Sequence, residues 1–455
     1  DWSSDVCSSD LLNVVLWSDM DGNGDGGIAH GNTVTNGGGF WAGGGSGTST
    51  WTPYSGGPAI TVGNYAARGR DTANWNAIDM MGNVTTSGGN VYMAGYTTQA
   101  QSADIIARDG PHYIDAGSGN ITFVQNKLKF DSTTTTTGSP FELTVYSTGT
   151  LTLAPLDTAF PADFTWSGSS SGSIEGLTIN NLPALGGLTI GKAGSTNNIN
   201  INSNIGIAGP LTIYGNQITM AVGVQINATG NVTLLANNGF TTAANSGTTR
   251  NAISTSNGNL HINADADNNN SGTLDIDWLS MNSGSGNITL EAASYSWSTF
   301  SSVVYPEIFG TGALTIRTVT SSGHIFITEW IGIAEKRASL TLGQVGSSAN
   351  ITVNGCSNCH PNMLNYTGKA LSVDGPINVY APDINFNQAI SSLGAISAYG
   401  SNIYVNAGAN LSTTGSGQGI LLKATDGIVI GVGSGLNVQT NNGNITLWAD
   451  SDGNS

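Results

Sequence analysis

The sequence predicts an all-β protein, a parallel β-solenoid (β-helix) with short loop insertions. A strand unit, Gly-Asn-apolar-Thr-apolar, recurs along the chain, and three copies begin at Gly230, Gly258 and Gly286, a constant spacing of 28 residues. Helical periodicity is nearly absent. Stacking such units on one another gives a continuous core that no unit can bury alone. A β-sandwich, with turns every 8 to 12 residues, is the alternative all-β interpretation.

Each strand unit is predicted from its residue order. In a strand the side chains alternate, so Ile445 and Leu447 of the last unit point to one face and Thr446 to the other. Gly, Asn and Ser bound the units, and we expect them to supply turns and positive φ angles. Asn and Thr at equivalent positions of successive coils are expected to form side-chain ladders.

Residues 1–11 share nothing with the repeats that follow and resemble a translated sequencing adapter. We therefore exclude them, with Cys7, from the fold prediction. The repetitive stem is predicted to span residues 12–455. Because the acidic turn near Asp19 returns at Asp450, 431 residues later, we expect the chain to be an internal fragment of a longer repeat protein.

Composition excludes several classes of protein. Gly accounts for 64 of 455 residues and charged residues for 9%, with a net charge of −17 and only 12 Lys plus Arg. Nucleic-acid binding and an anionic membrane surface are disfavoured, because both need a basic patch. No apolar run is long enough for a transmembrane helix, so no direct membrane insertion is expected. Disorder is disfavoured because hydrophobic residues reach 38% and alternate regularly.

Longer internal copies support the solenoid over the sandwich. Residues 188–195 match 340–347 at an offset of 152, and 207–214 match 373–380 at an offset of 166. The second copy therefore carries a 14-residue insertion. These sub-repeats extend over about 188–220 and 340–386.

Together, the Gly-Asn-Ile-Thr-Leu units, the Gly-Pro-apolar-x-apolar-Tyr segments and the Leu-Trp-x-Asp-x-Asp-Gly-Asn turns resemble filamentous-haemagglutinin-like adhesins. These are very large repetitive bacterial surface proteins, and the resemblance covers residues 12–455. It implies a right-handed parallel β-helix stem, export, and display on the outer cell surface or secretion. The residues that carry it build coils, so it says little about the ligand.

Acidic turns form the first candidate site. Asp and Asn at alternating positions have the oxygen spacing of a calcium loop, which brings hard oxygen ligands around one ion. The alternative is a solvated corner, since Asp and Asn are ordinary turn formers. The candidate ligands of a structural Ca²⁺ are Asp19, Asp21, Asn23, Asp25, Asp265, Asp267, Asp450 and Asp452.

The segment Cys356-Ser357-Asn358-Cys359-His360 has the attachment signature of a c-type haem. The internal repeat places it in a loop added to a coil, without the helices that wrap a haem. The sequence therefore favours a disulfide between Cys356 and Cys359 over a haem, free thiols or a metal.

Two aromatic-rich stretches supply candidate ligand contacts at Trp41, Trp51, Tyr295 and Trp297. Exposed aromatic rings stack on sugars or anchor interfaces. The alternative is that these rings cover loops or fill wide coils. The scattered histidines show no ligand spacing, and His261 is predicted to be a surface ladder residue.

These observations predict a non-enzymatic structural and adhesive stalk segment of a bacterial surface or secreted adhesin. We expect no catalytic residue and no bound cofactor, with glycans or surface proteins as partners. The alternative is a parallel β-helix enzyme acting on polysaccharides, a lyase or hydrolase, or a carbohydrate-binding module. Such an enzyme needs a local carboxylate cluster, and Glu is rare here.

Overall fold

Short parallel strands follow one another in register through most of the chain, as expected for coils that stack. The structure is a computed structural model that describes residues 13–18, 27–31, 33–68, 76–98, 104–108, 110–127, 130, 143–167, 173–174, 177–243, 249–296, 306–318, 325–327, 332–333, 337–354, 370–431 and 436–453. Contacts divide the chain into two units, 1–215 and 216–455. No helix in the described part is long and apolar enough to cross a membrane.

The strands of the first unit are β1 (Val14–Ser18), β2 (Ile28–His30), β3 (Val34–Thr35), β4 (Phe40–Trp51), β5 (Ile60–Tyr65), β6 (Ala67–Arg68), β7 (Ile78–Met80), β8 (Val84–Thr85), β9 (Val91–Tyr96), β10 (Ile105–Ala107), β11 (His112–Gly117), β12 (Ile121–Val124), β13 (Leu143–Ser147), β14 (Thr150–Ala154), β15 (Phe164–Trp166), β16 (Ser173–Ile174), β17 (Leu177–Ile179), β18 (Gly187–Ile190), β19 (Ile199–Ile201), β20 (Ile205–Ile207) and β21 (Leu211–Gly215). A single 3-10 turn, Leu182–Ala184, precedes β18 in the described residues.

The strands of the second unit are β22 (Ile218–Met220), β23 (Gln225–Ala228), β24 (Val232–Ala236), β25 (Phe240–Thr242), β26 (Asn251–Thr255), β27 (Leu260–Asn263), β28 (Thr273–Asp275), β29 (Leu279–Asn282), β30 (Ile288–Ala292), β31 (Ser294–Ser296), β32 (Glu307–Phe309), β33 (Leu314–Thr318), β34 (Ile325–Ile327), β35 (Gly332–Ile333), β36 (Leu340–Gly343), β37 (Ile351–Val353), β38 (Leu371–Val373), β39 (Ile377–Tyr380), β40 (Asp383–Phe386), β41 (Ile390–Ser392), β42 (Ile396–Val405), β43 (Leu411–Ser416), β44 (Ile420–Ile430), β45 (Val438–Asn441) and β46 (Ile445–Trp448).

The predicted fold class is confirmed, because each unit is an all-β parallel solenoid. In the first unit β9, β12, β14, β18 and β21 pair in parallel, and in the second β24, β27, β30, β33, β36, β39, β42, β44 and β46 do the same. Equivalent apolar residues stack directly, as with Leu151 and Leu188, which are fully or almost fully buried. Burial of these columns removes apolar surface from water in every coil.

The glycine of the strand unit has a different role from the one expected. Gly119 and Gly286 are not among the residues with positive φ, whereas the nearby Gly117 and Gly284 are. A Cβ built on Gly286 would lie 2.1 Å from the main-chain oxygen of Gly258, one coil earlier. Glycine is therefore required at this corner by the close approach of two main chains.

The predicted asparagine ladder is confirmed, and its acceptors pair with main-chain donors. The main-chain N–H of Asn259 donates to Oδ1 of Asn231 at 2.8 Å, and that of Asn287 donates to Oδ1 of Asn259 at 2.9 Å. In the first unit the main-chain N–H of Asn120 donates to Oδ1 of Asn90 at 2.9 Å. Each side chain thus satisfies an N–H at the corner of the next coil.

A long antiparallel hairpin, besides the short antiparallel pair of β16 and β17, interrupts the parallel pattern of the first unit. β4 continues past its parallel pairing with β1 and β9, turns, and pairs with β5 in the antiparallel sense. It is an insertion into a coil, as the predicted short loops are. Trp41, on β4 itself, is only 2% exposed.

Candidate functional site

One column of outward-facing residues in the second unit changes character along the sheet. Its members follow the apolar-x-apolar triplet of each strand, and register places Glu291 opposite Arg317, Gly343 opposite Tyr380, and Tyr380 opposite Tyr399. We call this set the outer column; its members include Glu291, Arg317, Gly343, Tyr380, Tyr399, Lys423 and Trp448.

The charged part of the outer column holds a carboxylate between an imidazole and a guanidinium. Glu291 is 5% exposed, and its Oε2 lies 2.7 Å from Nε2 of His261. Its Oε1 accepts from Nε of Arg317 at 2.5 Å. These side chains come from β27, β30 and β33, three successive coils, and line an outward groove of about 370 Å³ together with the asparagine ladder.

The Glu291 carboxylate is held in its ionised form. Burial by itself raises the pKa of Glu291, but the hydrogen bonds and charges of His261 and Arg317 outweigh it and bring the pKa below its usual value. Both carboxylate oxygens are hydrogen-bonded. The cluster can anchor the strands or receive a polar ligand, and it holds one carboxylate rather than the pair that glycoside hydrolysis needs.

Tyr295, predicted as a ligand contact, lies beneath this cluster. Its hydroxyl donates to the main-chain oxygens of Arg317 at 2.5 Å and Leu290 at 3.0 Å. Burial raises the pKa of Tyr295 well above its usual value. The side chain joins two neighbouring coils, so its polar end is used inside the stem.

The acidic turn at Asp265 satisfies itself. The carboxylate of the buried Asp265 accepts from the main-chain N–H groups of Asn269 at 3.0 Å and Asn270 at 3.2 Å. Asp267 accepts from the side-chain amide of Asn269 at 2.8 Å. This geometry is that of a turn capped by its own aspartate.

A second pair of carboxylates lies just beyond that turn. Burial, followed by the charge of the neighbouring Asp277, raises the pKa of Asp275 to about 6. Among the described residues, no group of three or more His, Cys, Asp or Glu is placed to hold a metal ion. The Ca²⁺ site at Asp265 and Asp267 therefore stays a prediction.

Asp450 and Asp452 form the corresponding turn near the last strand. Asp450 has a left-handed backbone, with φ of 53°, and its main-chain oxygen accepts from Gly453 at 3.2 Å. The remaining acidic-turn candidates, Asp19, Asp21, Asn23 and Asp25, lie outside the described residues, as do Cys356, Cys359, His360 and Trp297. Calcium at these turns and the disulfide stay predictions.

Trp41, a candidate ligand contact, is only 2% exposed, which favours the alternative that these rings cover loops or fill coils. Its indole stacks on Tyr92 with ring centroids 6.0 Å apart and planes 4° apart, and Trp17 meets its edge at 6.5 Å. The Trp17 indole in turn donates to the main-chain oxygen of Gly45 in the β4–β5 hairpin at 2.7 Å. Trp51, at the end of β4, is half-buried and folds back over Gly39, where a Cβ would lie 2.5 Å from the indole.

The aromatic part of the outer column remains open. Tyr380 and Tyr399 stack with centroids 5.3 Å apart and planes 7° apart, and both are only half-buried. They line a cleft of about 390 Å³ together with the 344–347 turn. Sequence reasoning missed this pair, although both tyrosines follow an apolar-x-apolar triplet, nineteen residues apart.

The internal copies predicted from the sequence share one detail of this arrangement. Gly191 has φ of 82°, and a Cβ there would lie 2.3 Å from the main-chain oxygen of Tyr214. Gly343 has φ of 72°, and its Cβ would lie 2.0 Å from the oxygen of Tyr380. The same glycine–tyrosine contact thus recurs in both copies. No family model, curated protein or solved structure matches the chain.

Proposed function

We propose that this chain is a structural and adhesive stalk segment of a bacterial cell-surface or secreted adhesin, with no catalytic role of its own. The observation that carries the proposal is the repeated satisfaction of each coil by the next. The asparagines at 231, 259 and 287 each accept a main-chain N–H from the following coil, and the glycines beside them let the coils close.

A coil built in this way serves extension. Identical contacts can be repeated without limit, because every coil presents the edge that the next one needs. The outward face then displays side chains at fixed spacing on a rigid support. Only 9% of the residues are charged, and most of these are acidic. Such a surface does not bind nucleic acid or anionic lipid indiscriminately.

One observation favours the alternative of a polysaccharide-acting enzyme. The cluster of Glu291, His261 and Arg317 brings a carboxylate and two bases together on the outward face, which sequence reasoning did not foresee. Against the enzyme, both oxygens of Glu291 are hydrogen-bonded to its neighbours. Among the described residues, no second carboxylate lines the same groove.

The proposal is tested by displaying the full chain on non-adhesive bacterial cells through an unrelated anchor. Cells that display the chain should adhere to epithelial monolayers or polysaccharide-coated surfaces more than cells that carry the anchor alone. Unchanged adhesion would contradict the proposal. A parallel assay for reducing ends or unsaturated products measures polysaccharide cleavage, and cleavage lost in Glu291→Gln would favour the enzyme.

A further inference from the structure

The outer column has a gap at Gly343. In a parallel sheet, equivalent side chains lie about 4.8 Å apart, so rings at successive positions stack face to face. Tyr380 has Tyr399 on one side at 5.3 Å, and on the other side register places Gly343, which has no side chain. The Tyr380 face that is turned toward β36 therefore has no stacking partner from that strand.

The main chain enforces this gap. Gly343 has φ of 72°, a conformation that favours glycine, and an added Cβ would also lie 2.9 Å from Ile351. No larger residue can therefore fill the position without moving the strand. The vacancy is part of the coil geometry, since the close approach of two main chains requires it.

A cleft occupies the space beside the gap. Its walls are the two tyrosine rings, the 344–347 turn, and the 381–382 and 400–401 segments, and its volume of about 390 Å³ is at the low end for small-molecule sites. Val345 stands above it with 83% of its surface exposed. Ser401 is a half-buried polar residue of the lining, whereas the hydroxyl of Ser347 is already paired with Thr318 at 2.8 Å.

We propose that this cleft binds a hexopyranose ring of a neutral glycan, stacked on the face of Tyr380 at the position that Gly343 leaves empty. The proposal rests on the adhesive function above and names the ligand class of one surface. A sugar ring offers C–H groups to an aromatic face and hydroxyls to a polar rim, which matches this lining.

Charge decides the kind of glycan. None of the ten described residues that line the cleft is a Lys, Arg, His, Asp or Glu. A carboxylated or sulfated sugar would lose hydration there without meeting a cation. A neutral sugar loses less hydration energy in the cleft and keeps its hydroxyls at the rim. The chain as a whole carries a net charge of −17, which further disfavours an anionic ligand.

The test is isothermal titration of the full chain with cellotetraose, maltotetraose and N-acetylchitotetraose, and with sialyllactose as the acidic comparator. We expect binding of a neutral tetrasaccharide. Tyr380→Ala should weaken that binding about tenfold or more, because it removes the stacking face. Tyr380→Phe should stay within about threefold of the parent chain, because it keeps the ring.

Two further variants separate binding from folding. Ser401→Trp places a bulky ring in the cleft from a half-buried rim position, and should abolish binding while the melting temperature stays unchanged. Tyr146→Ala is the matched control: Tyr146 is 38% exposed and meets Tyr113 edge-on at 87°, so it offers no parallel stack. This control should bind as the parent chain does.

Each outcome is decisive. If no neutral tetrasaccharide binds, or if Tyr380→Ala binds like the parent, the cleft assignment is overturned. Equal losses in Tyr380→Ala and Tyr146→Ala would also overturn it. Displayed chains that adhere without binding any tetrasaccharide would leave the proposed function standing and remove the cleft alone. Tetrasaccharide binding at Tyr380 without adhesion of displayed cells would do the reverse.

Discussion

Two aromatic pairs stack across neighbouring coils of this chain, and they differ in what covers them. Trp41 and Tyr92 in the first unit are 6.0 Å apart; Trp41 is 2% exposed and Tyr92 is half-buried. Tyr380 and Tyr399 in the second unit are 5.3 Å apart and line an open cleft. The same stacking geometry therefore joins a buried ring, Trp41, to a half-buried one in the first unit, and two half-buried rings in the second.

Different neighbours surround the two aromatic pairs. In the first unit Trp17 seals the edge of Trp41 and donates from its indole Nε1 to Gly45 on the hairpin at 2.7 Å. Burial also raises the pKa of Tyr92. In the second unit the 344–347 turn stands beside the pair and leaves a ring face open.

The largest expected effect comes from truncating one ring of each pair. Trp41→Ala should destabilise the first unit by about 3–5 kcal/mol, because it opens a cavity under the hairpin. Tyr380→Ala should cost about 1 kcal/mol, because the half-buried ring is lost without creating a closed cavity. Guanidinium denaturation followed by circular dichroism measures both. Equal costs would show that the two pairs are equally covered.

Sequence reasoning predicted the coils because they are local. Gly-Asn-apolar-Thr-apolar states which residue enters the core and which meets the next coil, and the structure follows it at Leu151 and Leu188. Register between coils is not local. Tyr399 lies opposite Tyr380 after nineteen residues, whereas His261 lies opposite Thr289 after twenty-eight. With coil length varying, the stacking of Tyr380 could not be predicted before the strands were paired.

Sequence reasoning named Trp41 for its aromatic-rich stretch and left open whether the ring is exposed or covered. Its surroundings come from residues distant in the chain, since Trp17 meets its edge and Tyr92 stacks on its face. The contact of Glu291 with His261 is similar, since it runs diagonally between coils and depends on side-chain reach rather than on spacing.

The second prediction disturbs the β4–β5 hairpin and leaves the rings of Trp41 and Tyr92 unchanged. In Gly63→Ala the new Cβ would lie 2.3 Å from the main-chain oxygen of Gly44, so β5 must move away from β4. We expect a cost of about 2–3 kcal/mol, with local opening of the hairpin. Hydroxyl-radical footprinting should then show Trp41 oxidised faster. Unchanged oxidation would mean that the hairpin is not what covers it.

The third prediction compares two asparagines of the ladder. Asn90 accepts from Asn120 and also donates its side-chain amide to Thr52 on the hairpin at 2.9 Å. Asn259 accepts from Asn287 at 2.9 Å and is exposed. Asn90→Ala should therefore cost about 2 kcal/mol and Asn259→Ala about 1 kcal/mol. Chemical denaturation measures both costs. If Asn259→Ala cost more than Asn90→Ala, the hydrogen bond from Asn90 to the hairpin would contribute nothing to stability.

The smallest effect is a pH dependence beneath the covered pair. His30 is buried and meets Phe40 edge-on at 5.9 Å, and burial lowers the pKa of His30, with a smaller contribution from His112. The folded state thus favours the neutral imidazole. Its stabilising contribution is complete above the unfolded pKa of about 6.5, and is lost as pH falls below that value.

His30→Phe should remove this component. Between about pH 7.5 and 5.5 the parent chain should lose about 1 kcal/mol more stability than the variant. His261→Gln is the matched control, because His261 lies on the outward face of the second unit and its change should leave the His30 component intact. Parallel pH slopes for the parent chain and His30→Phe would show that water reaches the imidazole, and that the covered pair is less sealed than its stacking implies.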